Sequence, residues 1–190
     1  VKDTEGPMRS TPRKSEHTSR STLSQKYALV RFPNGETRRM NAGPAADISK
    51  AVIEVFAPTF LGKPSVMFCR QSRNEAVAKE TELIRAMGLT PAAEELLPEI
   101  VLFDVAPADP LLVFVEVARS DGVIDETRTT ALLQIAHQAG FASQNVALVA
   151  AVLDREAENS GEAAGRLAGG SYAWFASEPD NLMAMRPIRG

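Results

Sequence analysis

Two acidic side chains border the most apolar stretches of the sequence. Glu116 closes the run Leu111–Val115, and Glu99 opens the run Ile100–Phe103. An unpaired carboxylate in a buried strand costs several kcal/mol, so each acid needs a cation or hydrogen-bond donors. Two histidines, His17 and His137, and one cysteine, Cys69, argue against a His- or Cys-built metal centre and exclude an intramolecular disulfide. Two carboxylates without histidine suit a hard cation such as Mg²⁺. Such an ion lowers the pKa of a bound water and neutralises charge building on a phosphate. The blander alternative is that Glu116 ends its strand at the solvent boundary.

For the two acids to act together, their strands must pair. Pro98–Val105 and Leu111–Arg119, joined by Ala106-Pro107-Ala108-Asp109-Pro110, read as an antiparallel hairpin. If the turn closes with Ala106 facing Leu111, Glu99 faces Ala118. Side chains alternate faces along a strand, so Glu99 and Glu116 then share a face as diagonal neighbours, Cα atoms roughly 7–8 Å apart. Asp104 points to the other face in this register, and a one-residue slip pairs Asp104 with Glu116 instead.

A cation is available nearby. Asp125 reads as the N-cap of a helix running to about Gln138 and closed by Gly140. Leu132 and Ile135 follow Arg128 at helical spacing, which puts Arg128 on the buried face, in the turn nearest the end of the Glu116 strand. There it can reach a phosphate bound to a metal ion that the acids hold; the alternative is a packed arginine bridging Asp121 or Asp125. Arginine stays charged, so either role is electrostatic.

The remaining elements form an α/β pattern, a mixed central sheet flanked by helices. Tyr27–Phe32 and Glu36–Met40 flank the turn Pro33-Asn34-Gly35 as a hairpin. Asp47 is expected to cap a helix through Phe56 that Pro58 ends. Ser65–Cys69 reads as a strand, and Asn74 caps a helix to about Met87. Asn145–Leu153 and Ser171–Ala176 are strands, with a weaker helix over Gly161–Leu167 between them. Trp174 and Phe175 read as core, Glu178-Pro179-Asp180 as a turn, and Glu80 and Glu82 as a solvated helix face that could alternatively supply a third acid.

The chain of 190 residues is 44% apolar and 24% charged, enough for one domain with a real core. Residues 1–26 hold six cations against three acids, nine Ser or Thr and no aromatic residue. They read as a disordered basic tail or linker ahead of a domain over 27–190. This tail is expected to be the stump of a connection to an upstream domain, with a DNA-grazing arm as the alternative. The rest holds 15 cations against 21 acids, so any nucleic-acid contact must come from local placement of charge. No apolar run is long enough to cross a bilayer, and no secretory leader is visible, which predicts a soluble, cytoplasmic protein without membrane contact.

The order of strand, strand with acid, strand ending in Glu, helix and strand resembles the core of PD-(D/E)XK nucleases. More narrowly, it is similar to the catalytic domain of the BsuBI/PstI family of type II restriction endonucleases. The resemblance lies in Leu97-Pro98-Glu99-Ile100-Val101-Leu102-Phe103-Asp104, in Leu112-Val113-Phe114-Val115-Glu116-Val117-Ala118-Arg119-Ser120-Asp121-Gly122, in Arg128, and in Tyr172-Ala173-Trp174-Phe175-Ala176-Ser177-Glu178-Pro179-Asp180. Weaker similarity reaches back through Phe60-Leu61-Gly62-Lys63-Pro64 and Met87-Gly88-Leu89. The resemblance implies a restriction-endonuclease-like fold and a Mg²⁺-dependent, dimeric enzyme cutting duplex DNA at CTGCAG. It also implies that Glu99, where the family usually has Asp, and Glu116 are the metal-binding acids. The superfamily lysine two residues after the second acid is Ala118 here, which turns attention to Arg128, or to Arg119 if a bulge turns it inward. The Asp-to-Glu change and the missing lysine leave a second reading, a decayed nuclease fold kept for DNA or protein binding. A small-ligand α/β protein has least support, because the sequence holds no G-x-G-x-x-G or G-x-x-x-x-G-K-[ST] loop.

Overall fold

A computed structural model describes residues 26–72, 82, 85, 96–117, 124–155 and 167–186. Strands β1 (Tyr27–Arg31) and β2 (Thr37–Asn41) form a separate two-stranded hairpin. Its side chains alternate, so that Val30, Arg38 and Met40 point inward while Leu29, Arg31, Arg39 and Asn41 face out.

The first helix departs from expectation at both ends. Helix α1 (Pro44–Ala51) starts at Pro44 rather than after Asp47, because proline needs no N–H partner in a first turn. Asp47 instead lies within that first turn, where it complements the helix dipole. Pro58 does not end the helix. The chain passes through a π-helical stretch, Val52–Phe56, into a last turn α2 (Ala57–Phe60) that holds Pro58 at its start. The wider π turn begins a fresh register of hydrogen bonds there, so the missing proline N–H and its ring meet no committed carbonyl.

The main sheet has the order β3-β4-β5-β6-β7-β8. Strand β3 (Pro64–Cys69) pairs antiparallel with β4 (Ile100–Asp104), and β4 with β5 (Leu111–Val117). Strand β6 (Val146–Val152) lies parallel to β5 and to β7 (Tyr172–Phe175), while β8 (Leu182–Ala184) closes the edge antiparallel to β7. The sequence reading did not contain β8, a three-residue edge strand without β-branched residues.

Alternation along β4 and β5 divides the core into two layers. Ile100, Leu102, Val113, Val115 and Val117 face the β1–β2 hairpin and α1 through its π-helical continuation. Val101, Leu112 and Phe114 face Leu132, Ile135 and Ala136 of helix α3 (Glu126–Gln138). Asp125 caps α3 as expected, its carboxylate accepting from the Arg128 N–H at 2.7 Å. Trp174 and Phe175 are core, and the Trp174 indole N–H donates to the Pro179 carbonyl at 3.0 Å.

The hairpin register corrects the expected one. Ile100 pairs with Val115 and Asp104 with Leu111, so Ala106 lies outside the ladder. The cause is Asp104 itself, whose carboxylate accepts from the Ala106 N–H at 3.0 Å and folds the connection back on the strand end. A two-residue displacement preserves which side chains share a face. Asp104 therefore still points away from Glu116, toward the layer of α1.

The residues expected to form the basic tail up to 25, most of the helix from Asn74, Ala118, Arg119, Asp121 and most of the Gly161–Leu167 helix lie outside the described residues. Of the two acids weighed on that earlier helix, Glu80 also lies outside, and Glu82 is helical and exposed. Among the described residues no helix is long and apolar enough to cross a membrane.

Candidate active site

The two acids at the candidate site are brought together by the register just described. Glu116 is on β5, on the face shared with Leu112 and Phe114, and its neighbour on β6 is the small residue Ala150. Glu99 immediately precedes β4. One further step along the ladder from the Ile100–Val115 pair places it directly opposite Glu116, rather than diagonal to it. Cβ atoms of directly opposed residues lie about 4.5–5.5 Å apart, so one ion can be shared between the two carboxylates.

Each acid is met by one arginine. Arg128 approaches from the first turn of α3, with Nε at 2.6 Å and Nη2 at 2.5 Å from Glu116 Oε1. Its Nη1 donates to the Leu96 carbonyl at 2.8 Å. The packed-arginine alternative named Asp121 or Asp125 as partner; Asp125 is engaged by the Arg128 backbone N–H, and the guanidinium goes to Glu116. Arg70, in the 3₁₀ turn Arg70–Ser72 after β3, stands with Nε at 3.6 Å from Glu99 Oε1, and its Nη2 donates to the Leu97 carbonyl at 2.6 Å. Its backbone N–H donates to the Glu99 carbonyl at 2.8 Å.

Sequence reasoning missed Arg70. The signal was present, since an arginine directly after the apolar run Val66–Cys69 needs a partner as much as an acid does. Its partner is remote in sequence, however, and only the β3–β4 pairing of Cys69 with Ile100 brings the two together.

The pairing is incomplete at both acids. The two short contacts to Glu116 fall on Oε1 alone. Glu99 Oε2 is buried and has no hydrogen-bond partner, which costs about 1–3 kcal/mol or more for a charged group. Asp104 shows what a saturated acid looks like in the same strand pair. It is 3% exposed and accepts from the N–H groups of Gly62 at 2.9 Å, Lys63 at 2.7 Å and Ala106 at 3.0 Å. Burial pushes its carboxyl up, but the three donors together outweigh burial and hold it below the usual carboxylate value. Both Asp104 oxygens are met by backbone donors, and the side chain faces away from the other two acids.

The donor set fits a divalent cation in one respect: two carboxylates face each other, one with a buried oxygen lacking any partner. Among the described residues, no cluster of three or more His, Cys, Asp or Glu side chains forms. An ion here would complete its shell with water or substrate oxygens, as Mg²⁺ commonly does.

Residues 28–187 match the family model of the BsuBI/PstI restriction endonuclease domain. The chain is 24% identical over 126 residues to the type II restriction enzyme BsuBI of Bacillus subtilis, covering 62% of this chain and 39% of that enzyme. Its fold matches the solved structure of the SdaI restriction endonuclease with a TM-score of 0.67 and 24% identity, over 87% of this chain and 50% of the other. The chain thus spans half or less of the relatives it matches. With residues 28–187 matched by the family's model, the chain belongs to the BsuBI/PstI restriction endonuclease domain family.

Proposed function

We propose that this chain is the catalytic domain of a type II restriction endonuclease, a Mg²⁺-dependent hydrolase of phosphodiester bonds in duplex DNA, with CTGCAG as the family's site and a homodimer as its working form. The observation that carries this reading is the buried, unpartnered Glu99 Oε2, which the β4–β5 register, carried one step past Ile100, sets opposite Glu116. Glu99 and Glu116 would hold the ion, which supplies Lewis-acid stabilisation of the charge that builds on the scissile phosphate.

The chain's own residues do the rest. Arg128 fixes Glu116 by a short, charge-assisted contact and is itself anchored on the Leu96 carbonyl, so it is oriented before substrate arrives. Its remaining donors can stabilise a phosphate oxygen, the task the superfamily lysine has elsewhere. It cannot take a proton from water, because a guanidinium stays charged. Arg70 restrains Glu99 in the same manner from the opposite strand.

The test is cleavage of supercoiled plasmid carrying CTGCAG sites, with Mg²⁺ or with EDTA, using Glu116→Ala as control. Discrete Mg²⁺-dependent fragments that the variant does not produce support the full reading. Random nicking lost in the variant means that chemistry survives without recognition. A second reading, a decayed nuclease fold retained for binding, draws on the fact that each acid already has an arginine, leaving the group without net charge. No cleavage together with no heat of Mg²⁺ binding by calorimetry favours that second reading.

A further inference from the structure

The guanidinium of Arg70 and the carboxylate of Glu99 lie side by side without satisfying each other. At 3.6 Å their closest approach is an ion pair and too long for a hydrogen bond. Glu99 Oε2 is buried without a partner. On the other side of the pair, Arg70 Nη2 donates to the Leu97 carbonyl at 2.6 Å, while Nε and Nη1 take no hydrogen bond among the described residues. Arg128 is differently employed. Its Nε and Nη2 both meet Glu116 Oε1 and its Nη1 donates to the Leu96 carbonyl, so all of its nitrogens already have a contact. At Arg70 and Glu99 a cation would satisfy the orphaned oxygen and an anion the open N–H groups. A divalent ion carrying a phosphate supplies both.

The sheet sets Arg70 in line with the acids. The β3–β4 pairing ends at Cys69 and Ile100, and one step beyond it the Arg70 N–H donates to the Glu99 carbonyl at 2.8 Å. The same step along the β4–β5 register sets Glu99 opposite Glu116. Arg70, Glu99 and Glu116 thus form one row across the sheet, with neighbouring chains about 4.7–4.9 Å apart. A phosphate on an ion between the two acids lies within reach of a side chain that already extends to Glu99. The guanidinium is also oriented beforehand, 5.6 Å from the centre of the Phe68 ring, and β2 and α1 both pack on its 3₁₀ turn. We propose that Arg70 is a further catalytic residue, whose Nε and Nη1 donate to a non-bridging oxygen of the scissile phosphate while Glu99 and Glu116 hold the ion. This rests on the nuclease reading and deepens it. The charge stabilisation given elsewhere by the superfamily lysine comes here mainly from the strand beyond Glu99, and Arg128 chiefly holds Glu116. The guanidinium stays charged, so no proton passes through it.

The experiment is single-turnover cleavage of plasmid carrying CTGCAG sites by the full chain, in excess until the rate no longer rises, over a range of Mg²⁺. Arg70→Gln should lower the rate at saturating Mg²⁺ by about 10²–10³-fold. The Mg²⁺ concentration giving half the maximal rate should not rise, because removing a neighbouring cation favours the ion. Arg70→Lys keeps a point charge without the planar fork and should recover roughly tenfold of the loss. Arg70→Met keeps an unbranched stem against the Phe68 ring and should repeat the Gln result if Arg70→Gln does not fold, which thermal unfolding in EDTA decides. If Arg70 only positions Glu99, the variant needs more Mg²⁺ and excess Mg²⁺ restores its rate, which overturns the proposal. A rate at saturating Mg²⁺ within about threefold of the parent overturns it as well. The two readings fail separately. A parent that makes no Mg²⁺-dependent cut removes the nuclease reading and this role with it, whereas a parent that cuts no faster than Arg70→Gln removes Arg70 alone.

Discussion

The two ends of the β4–β5 pair hold the same chemical group in opposite conditions. At one end Asp104 is enclosed by three backbone N–H donors and lies on the α1 side. At the other, Glu99 and Glu116 oppose each other on the α3 side, each with one oxygen held by an arginine. Asp104 is satisfied by the protein alone, and its depressed pKa reports that saturation. Glu99 keeps a buried oxygen that the protein does not satisfy. A fold retains such a deficit where a ligand removes it, so burial of an acid is a poor guide to function and the state of its hydrogen bonds a better one.

The largest effect that can break this comparison is on catalysis. Glu116→Gln preserves shape and removes the charge, and should lower the rate of Mg²⁺-dependent plasmid cleavage by about 10²–10³-fold or more. Asp104→Asn should leave the rate per folded molecule within about threefold of the parent, since that end has no part in the electrostatics of the site. The reverse pattern would exchange the roles of the two ends. For stability the order inverts. Asp104→Ala strands three N–H donors and should cost about 3 kcal/mol, because several charge-assisted bonds are lost but do not add. In thermal unfolding that corresponds to a drop in Tm of roughly 6–12 °C.

Gly62 sharpens the structural end further. A Cβ at Gly62 would lie 2.6 Å from the Ala106 Cβ, too close for any rotamer to relieve. Gly62→Ala should cost about 1–3 kcal/mol by urea unfolding, and Ala106→Gly in the same chain should recover most of it. The acid limb of stability gives a smaller effect. With its folded pKa depressed, Asp104 contributes stability that is present above the unfolded value of about 3.9 and is lost as pH falls through the folded one. Urea midpoints measured downward from pH 6 should fall less steeply in Asp104→Asn than in the parent. An equal slope would mean that the three donors do not favour the ionised carboxylate.

Much of this architecture was legible because strong local signals agreed with the fold. Strand β5 opens with five apolar residues before Glu116, and α3 has both its Asp125 cap and its apolar face. Face parity placed Glu99 with Glu116 and Arg128 beside them, and it survived an error in register because the error was even. The register itself was not legible, since Asp104 is fixed by N–H groups of Gly62 and Lys63, remote in sequence, as well as by that of Ala106. Arg70 escaped for the same reason. The early helix start at Pro44, the passage through Pro58 and the short β8 were lost because each relies on tertiary support against a weak local preference.

The smallest expected effect is at Glu99, and it is the one most specific to an open carboxylate. Glu99→Gln removes a charge whose Oε2 is unpartnered and whose ion pair to Arg70 is long, at 3.6 Å. Losing a poorly compensated, largely buried charge relieves a desolvation penalty, while losing the pair forfeits a modest Coulombic gain. The two nearly cancel, so stability without divalent ions should change by less than about 1 kcal/mol in either direction. Mg²⁺ should raise the Tm of the parent through binding to the folded state alone, and that rise should vanish in Glu99→Gln. Were Glu99 a purely structural acid like Asp104, the substitution would behave in the opposite way. The folded state would weaken by more than 1 kcal/mol, and Mg²⁺ would shift parent and variant alike.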